Sequence, residues 1–267
     1  MIVVELRKLL RRPRTWISIA LLAGLPTIVA IFLAVSDIAP RPGTGPAFLS
    51  AVLANGALFP AAALAIVLPL FLPVAVAVVA GEAVAGEAQA GTLRYLLIRP
   101  VGRTRLLVAK LVSVVAYTML AVVVVATVAY VVGTQLFGSA PLPSTSGTDL
   151  STAQATIRTV LAVLYVGWSM LGVAAVALFL STVTDSPLAA ALGAIALLVT
   201  SGVLVGLEAS ASVQPYLPTR YWLAFVDLFR DPVLYRDLLR GTALQGAYIA
   251  VFLGAAWANL MTKDVTS

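Results

Sequence analysis

GEAVAGEAQAGTLRYLLIRPVGRTRLLVAK, residues 81–110, decides how this chain must be folded. It sets Glu82, Glu87, Arg94, Arg99, Arg103, Arg105 and Lys110 between two long apolar runs. Such a density of charge stands out in a chain of 267 residues with 61% hydrophobic residues, 10% charged residues and a mean hydropathy of +1.04. An ordinary globular domain carries roughly 25% charged residues, so the composition is that of a membrane protein. Cys and His are both absent, which removes disulfides, thiolate metal sites, haem ligation and histidine acid/base chemistry. The net charge of +6 does not point to nucleic acid, because the cations cluster beside apolar runs, where they mark topology.

A helix crosses the roughly 30 Å hydrocarbon core with about 20 apolar residues. Six uncharged runs meet that length and predict spans near 15–36, 57–80, 106–133, 157–183, 187–208 and 241–261. The long second and third runs carry loop-like ends, PGTGP at 42–46 and PLPSTSGT at 141–148. Lys and Arg concentrate in the N-terminal segment, in the 81–110 loop and at Lys263, whereas the loops at 37–56 and 134–156 hold only Arg41. The positive-inside bias then makes both termini and the quoted stretch cytoplasmic. The segment 209–240 carries Arg220, Arg230, Arg236 and Arg240, but Glu208, Asp227, Asp231 and Asp237 are placed to pair with them, and six spans put it outside. The apolar part of the first run, about 22 residues, exceeds the 7–15 of a signal peptide, so it is expected to remain as a helix.

Three further features qualify this picture. In residues 1–12, Ile2, Val3, Leu6, Leu9 and Leu10 fall on one helical face and Glu5, Arg7, Lys8, Arg11 and Arg12 on the other, the pattern of a helix lying along a leaflet, with Pro13 turning the chain into the first span. Between the last two spans, Trp222, Phe225 and Phe229 recur at helical spacing, so one face of a short helix is expected to dip into the headgroup boundary, as a re-entrant outer gate or as a lid over the span ends. Pro26 in the first span and Pro60, Pro69 and Pro73 in the second invite kinks, and Gly202 and Gly206 form a small-xxx-small pattern suited to close helix packing.

A connection between two antiparallel helices needs only a handful of residues, and 81–105 is far longer. Its first part has helix-forming Ala, Glu and Gln, with Glu82 and Glu87 near the expected start and Gly91 as a stop. Thr92 then opens a second amphipathic piece, with Leu93, Leu96 and Leu97 on one side and Arg94 on another, before a turn at Pro100 and Gly102. Gly81, Gly86 and Gly91 recur every five residues, but no Gly-Lys-Ser/Thr follows, so a phosphate loop is excluded.

Glu87, Gly91-Thr92-Leu93-Arg94-Tyr95-Leu96-Leu97, Arg99-Pro100-Val101, Arg103 and Lys110 resemble the cytoplasmic region of the permease subunits of type-2 ATP-binding-cassette (ABC) transporters, in the manner of NosY-like and multidrug or bacteriocin-immunity permeases. Leu6, Arg7, Leu9, Leu10, Arg11 and Arg12 are similar to that family's interfacial entry helix, and the ending from Trp257 to Val265 to its C-terminal close. The resemblance implies that 82–91 is a coupling helix seated on a separate cytoplasmic ATPase subunit. Glu82, Glu87, Gly91, Thr92, Leu93, Arg94, Leu96 and Leu97 would form the contact. It further implies two ATPase subunits, which would bind ATP and Mg, and a second permease copy or sister permease packed through Gly202 and Gly206. The chain itself would need no cofactor and be no enzyme.

The expected protein is therefore an all-α, six-span, multi-pass permease in a bacterial cytoplasmic membrane, surrounded by lipid and moving a lipophilic or amphiphilic compound outward. Two other classes stay open. A secondary transporter or channel would place ionisable groups at membrane depth, which the six runs do not do; a structural anchor for a cytoplasmic partner would use the same elbow.

Overall fold

A helix of n residues is about 1.5n Å long, so the apolar runs have more than one way to meet the bilayer, and the fold uses several. The computed structural model describes residues 1–35, 55–91, 102–138, 142–143 and 149–262. Its helices are α1 (Ile2–Arg11), α2 (Pro13–Val35), α3 (Phe59–Val67), α4 (Phe71–Gln89), α5 (Arg103–Phe137), α6 (Thr152–Val183), α7 (Pro187–Val205) and α8 (Tyr235–Thr262). Six of them, α2 and α4 to α8, are long and apolar enough to cross a membrane. Beside them, Leu142–Pro143 and Asp149–Leu150 form a two-residue antiparallel ladder.

The expected helix over 1–12 is present as α1, and Pro13 stands at the first position of α2, where its missing N–H costs nothing. Arg12 between them is extended, and the Trp16 indole N–H donates to the Leu10 carbonyl across the bend at 2.8 Å. The expected single span at 57–80 is instead two helices in series. Pro69 and Pro73, four residues apart, each remove a helical donor, and the ladder breaks at Leu68–Leu70 between α3 and α4. α3, preceded by a 3₁₀ turn at Gly56–Leu58, is enclosed by protein: Phe59, Leu64, Val67 and Leu68 are wholly buried. The break itself lies at the surface of the bundle, where Pro69, Leu70 and Phe71 are exposed. α4 in turn runs past the expected boundary at 80 to Gln89, and Gly91 closes it with a left-handed φ of 67°, as a glycine in that position can.

α6 is the centre of the bundle. Its most apolar window is 61% buried, against 28% for α2 and α7 and 17% for α8. It packs against α4, α7 and α8, while α5 supports α2 and α3. At the end of the bundle where α3 begins, Gly56 and Gly133 bring α3 and α5 into backbone contact; a Cβ on Gly56 would meet the Gly133 carbonyl, and one on Gly133 would meet the Gly56 carbonyl and the Phe59 Cβ. Phe59 and Phe137 meet beside this contact with their rings tilted by 55° and centroids 6.2 Å apart.

Between α7 and α8 the chain makes short 3₁₀ turns, Glu208–Ser210, Gln214–Tyr216 and Trp222–Phe229. The aromatic face expected to dip into the headgroups points the other way: Trp222, Phe225 and Phe229 are buried in the bundle against α6 and α8. Backbone polar groups explain the inward turn. The Pro218 carbonyl accepts from Gln245 Nε2 at 2.7 Å, the Tyr221 carbonyl from Tyr165 Oη at 2.7 Å and the Tyr216 carbonyl from Tyr248 Oη at 3.0 Å. An irregular segment needs such partners at membrane depth, and α6 and α8 supply them. The anticipated pairing of its charges occurs at Asp227–Arg230, 3.0 Å, and Asp237–Arg240, 3.9 Å.

The Gly56–Gly133 contact leaves no room for a side chain. Gly56→Ala and Gly133→Ala should each destabilise the detergent-solubilised protein by about 1–3 kcal/mol, the usual cost of overpacking. Gly202→Ala, whose added Cβ has nothing within 4 Å, should change thermal stability little.

Candidate functional site

Charged groups in a membrane protein must find water or each other, and at one end of this bundle they find each other. The end holds α1, the last turns of α4, the start of α5, the end of α6 and the start of α7. The Lys110 side chain, 6% exposed, sits between two carboxylates: its Nζ donates to Glu5 Oε2 at 3.0 Å and to Glu87 Oε1 at 2.9 Å. Lys8 closes the group, 3.4 Å from Glu5 and 3.5 Å from Glu87. Two cations and two anions cancel, which is the condition under which charges survive burial.

Glu5 was expected on the polar face of α1. It is instead buried with Leu9, one turn away, while Ile2, Val3 and Leu10 remain exposed. The apolar arc of α1 is thus divided between protein and surroundings, and Glu5 sits on the protein-facing edge because Lys110 is there to meet it. Leu6 is half-buried, and Arg7, Arg11 and Arg12 are exposed.

Glu82 and Glu87 do not open a helix of their own. They lie in the last turns of α4, which is continuous from Phe71, so the expected coupling helix at 82–91 is the protruding end of a span. Glu82 meets two guanidiniums, Arg14 at 3.3 Å and Arg12 at 3.7 Å. Both carboxylates expected to face a partner are therefore engaged within the chain. One feature does mark off this end of α4: the Ser181 hydroxyl of α6 donates to the Gly81 carbonyl at 2.6 Å and accepts from the Val84 and Ala85 amides at 3.0 and 2.9 Å. A side chain inserted at the Gly81–Ala85 rung is a recognised origin of helix bending, and it falls one residue before Glu82. A Cβ on Gly81 would come 3.0 Å from the Ala191 amide nitrogen, so α4, α6 and α7 all meet here.

The other ends at this side are tied in the same way. Arg103, expected in the elbow, donates to the Leu260 and Met261 carbonyls at 3.1 and 2.7 Å, satisfying the open end of α8. The Trp257 indole donates to Thr104 Oγ1 at 3.1 Å, and the Asn259 amide to Thr182 Oγ1 at 3.1 Å. Thr92, Leu93, Arg94, Leu96 and Leu97 lie outside the described residues, as do Arg41 and the C-terminal residues from Lys263.

Gly202 and Gly206 are exposed, Gly202 in the last turn of α7 and Gly206 just beyond it as its C-cap. Gly202 also lines a groove of about 510 Å³ at the α3–α4 break, formed by Pro69, Pro73, Leu198, Trp222 and neighbouring apolar residues. Sequence patterns alone did not reveal this groove, nor the burial of Lys110. The available signal for Lys110 was its position one residue before an uncharged run.

Residues 25–254 match the profile of a protein family of unknown function, DUF2705. The chain belongs to that family. No curated protein matches it. The matched region of this DUF2705 protein runs from the middle of α2 into α8 and includes Glu82, Glu87 and Lys110, whereas Glu5 and Lys8 come from α1, outside the match.

Removing Lys110 leaves Glu5 and Glu87 sharing one half-exposed cation, Lys8, at 3.4 and 3.5 Å. Lys110→Met should cost up to about 3 kcal/mol, the low end for a broken buried pair because Lys8 remains, and loosen α1, seen as faster proteolysis within residues 1–12. Lys8→Met, at a side chain 45% exposed, should cost less than about 1 kcal/mol.

Proposed function

We propose that this chain is the membrane-spanning permease subunit of an ABC-type exporter that moves a lipophilic or amphiphilic compound out of a bacterial cell. Its charged end faces the cytoplasm in the cytoplasmic membrane. ATP and Mg bind to two copies of a separate ATPase subunit, and a second copy of the chain or a sister permease completes the translocator, with Gly202 and Gly206 at the contact. The chain itself does no chemistry.

One observation carries this reading. α4 is a single rod from the break at Leu68–Leu70 to exposed Gln89 and Ala90, and its end is joined to α1 and α5 through Glu5, Lys110 and Glu87. A push on that tip moves three segments together, and Ser181 at the Gly81 rung gives the rod a point at which to bend. The contact with the ATPase is therefore assigned to the exposed tip of α4 and the Thr92–Leu97 stretch, with Glu82 and Glu87 holding the tip in place from within. The apolar groove at the α3–α4 break, open beside Gly202, supports an amphiphilic cargo. Ionisable residues sit at the ends of the described spans, which favours this reading over an ion- or proton-coupled transporter. A structural anchor would bind the same partner without turnover.

The test is site-directed cross-linking in native membranes. A photo-reactive residue at Gln89 or Ala90 should capture a soluble protein that carries a phosphate loop and hydrolyses ATP, in a yield that changes with nucleotide. The same residue at Tyr216, at the opposite end of the bundle, should not. Equal capture at both ends, or no ATP-hydrolysing protein captured at Gln89 or Ala90, refutes the assignment. Capture without nucleotide-dependent transport by the reconstituted pair would leave the anchor.

A further inference from the structure

The charged end of the bundle also encloses a groove of about 770 Å³, bounded by α1, α4, α5 and α7, within the 300–1,000 Å³ range of small-molecule sites. Its two sides differ chemically. The floor is apolar, made by Val78, Val79, Ala83, Val114, Leu188 and Ala191. The mouth carries Arg12 and Arg14, whose side chains are 57% and 81% exposed, and the one carboxylate paired to them is Glu82. Lys8, Lys110, Glu5 and Glu87 also line the groove, but their charges cancel among themselves. A single positive charge is therefore left over at the mouth among the described residues. The first turn of α7, opened by Ser186 with its hydroxyl accepting from the Ala189 amide, faces the same space and adds the positive end of a helix dipole.

We propose that this groove seats one anionic phospholipid from the adjoining leaflet. Its phosphate sits at Arg12 and Arg14, and an acyl chain lies along the floor between α4 and α7. The charge at the mouth selects an anionic headgroup, since each basic residue near a membrane surface favours anionic lipid by about 1 kcal/mol, roughly a fivefold change in binding. The floor demands more than a headgroup: a soluble phosphate would leave Val78 and Leu188, which are exposed, uncovered. A lipid held here touches α1, the bending point of α4 and the start of α7 at once, so its presence stiffens the tip assigned above to the ATPase contact. Only that consequence rests on the exporter reading; binding does not.

The experiment uses the full chain alone, purified in mild detergent, with no ATP and no partner. Native mass spectrometry after titration with phosphatidylglycerol or with phosphatidylcholine of the same acyl chains should show one phosphatidylglycerol retained per chain and little phosphatidylcholine. Arg12→Gln with Arg14→Gln should weaken phosphatidylglycerol retention about twentyfold, taking about fivefold for each cation. Gly86→Leu fills the groove instead, since an added Cβ there meets only the Glu82 Cβ at 3.9 Å. It should reduce retention with every charge intact, and it should melt as the parent does.

Three results overturn the proposal. The first is equal retention of the two lipids. The second is a loss in the arginine variant with none in Gly86→Leu, which leaves surface attraction without a groove. The third is displacement of the lipid by millimolar glycerol 3-phosphate, which assigns the site to a free anion. Because no nucleotide or partner is present, any of these leaves the cross-linking result untouched.

Discussion

Lys110 holds together three segments that the chain itself keeps far apart. Its ammonium lies within 3.0 Å of a carboxylate from α1 and another from the end of α4, at a depth where an uncompensated charge would cost several kcal/mol. Each partner is therefore obliged to stay. If α1 lifted from the bundle Lys110 would lose its contact with Glu5, and if the end of α4 swung away it would lose Glu87. A helix that amphipathicity alone would leave resting on a lipid surface becomes part of the folded body.

The opposite end is held by a different means. There, hydroxyls and an amide from α6 and α8 reach carbonyls of the irregular 206–234 segment, and three aromatic side chains fill the space beneath. At the α3–α4 break two prolines remove donors, and Pro69, Leu70 and Phe71 there are exposed. Among the described residues the bundle is thus closed by charge at one end and by backbone hydrogen bonding at the other, and the apolar groove at the α3–α4 break borders the latter through Thr219 and Trp222.

The charged end also joins two roles. The segment that supports the coupling assignment and the groove inferred to hold anionic lipid share Glu82, Gly86 and Glu87. A lipid there and a motor outside would act on the same rod, and ionic strength would affect them unequally: the Arg12 and Arg14 contacts are exposed and screened by salt, whereas the Lys110 pairs are not.

Much of this was legible in residue order. The number of long apolar helices, the entry helix before Pro13 and the stop at Gly91 follow from period, length and backbone preference, which are local properties that each segment carries alone. The acid–base pairing within 227–240 is local as well, since its partners lie three residues apart. Other features required the neighbours. Glu5 belongs to the polar set of α1 by composition and is buried only because Lys110 faces it from more than a hundred residues away. The Trp222 face turns inward because Gln245 and Tyr165 offer partners to carbonyls that lipid cannot satisfy. Glu82 and Glu87 look like surface charges awaiting a partner protein, until folding brings arginines and lysines from α1, the start of α2 and α5 against them. Periodicity specifies which faces are apolar and which are charged; which charge meets which, and which face is covered, is a property of helices packed side by side and appears only in the tertiary structure.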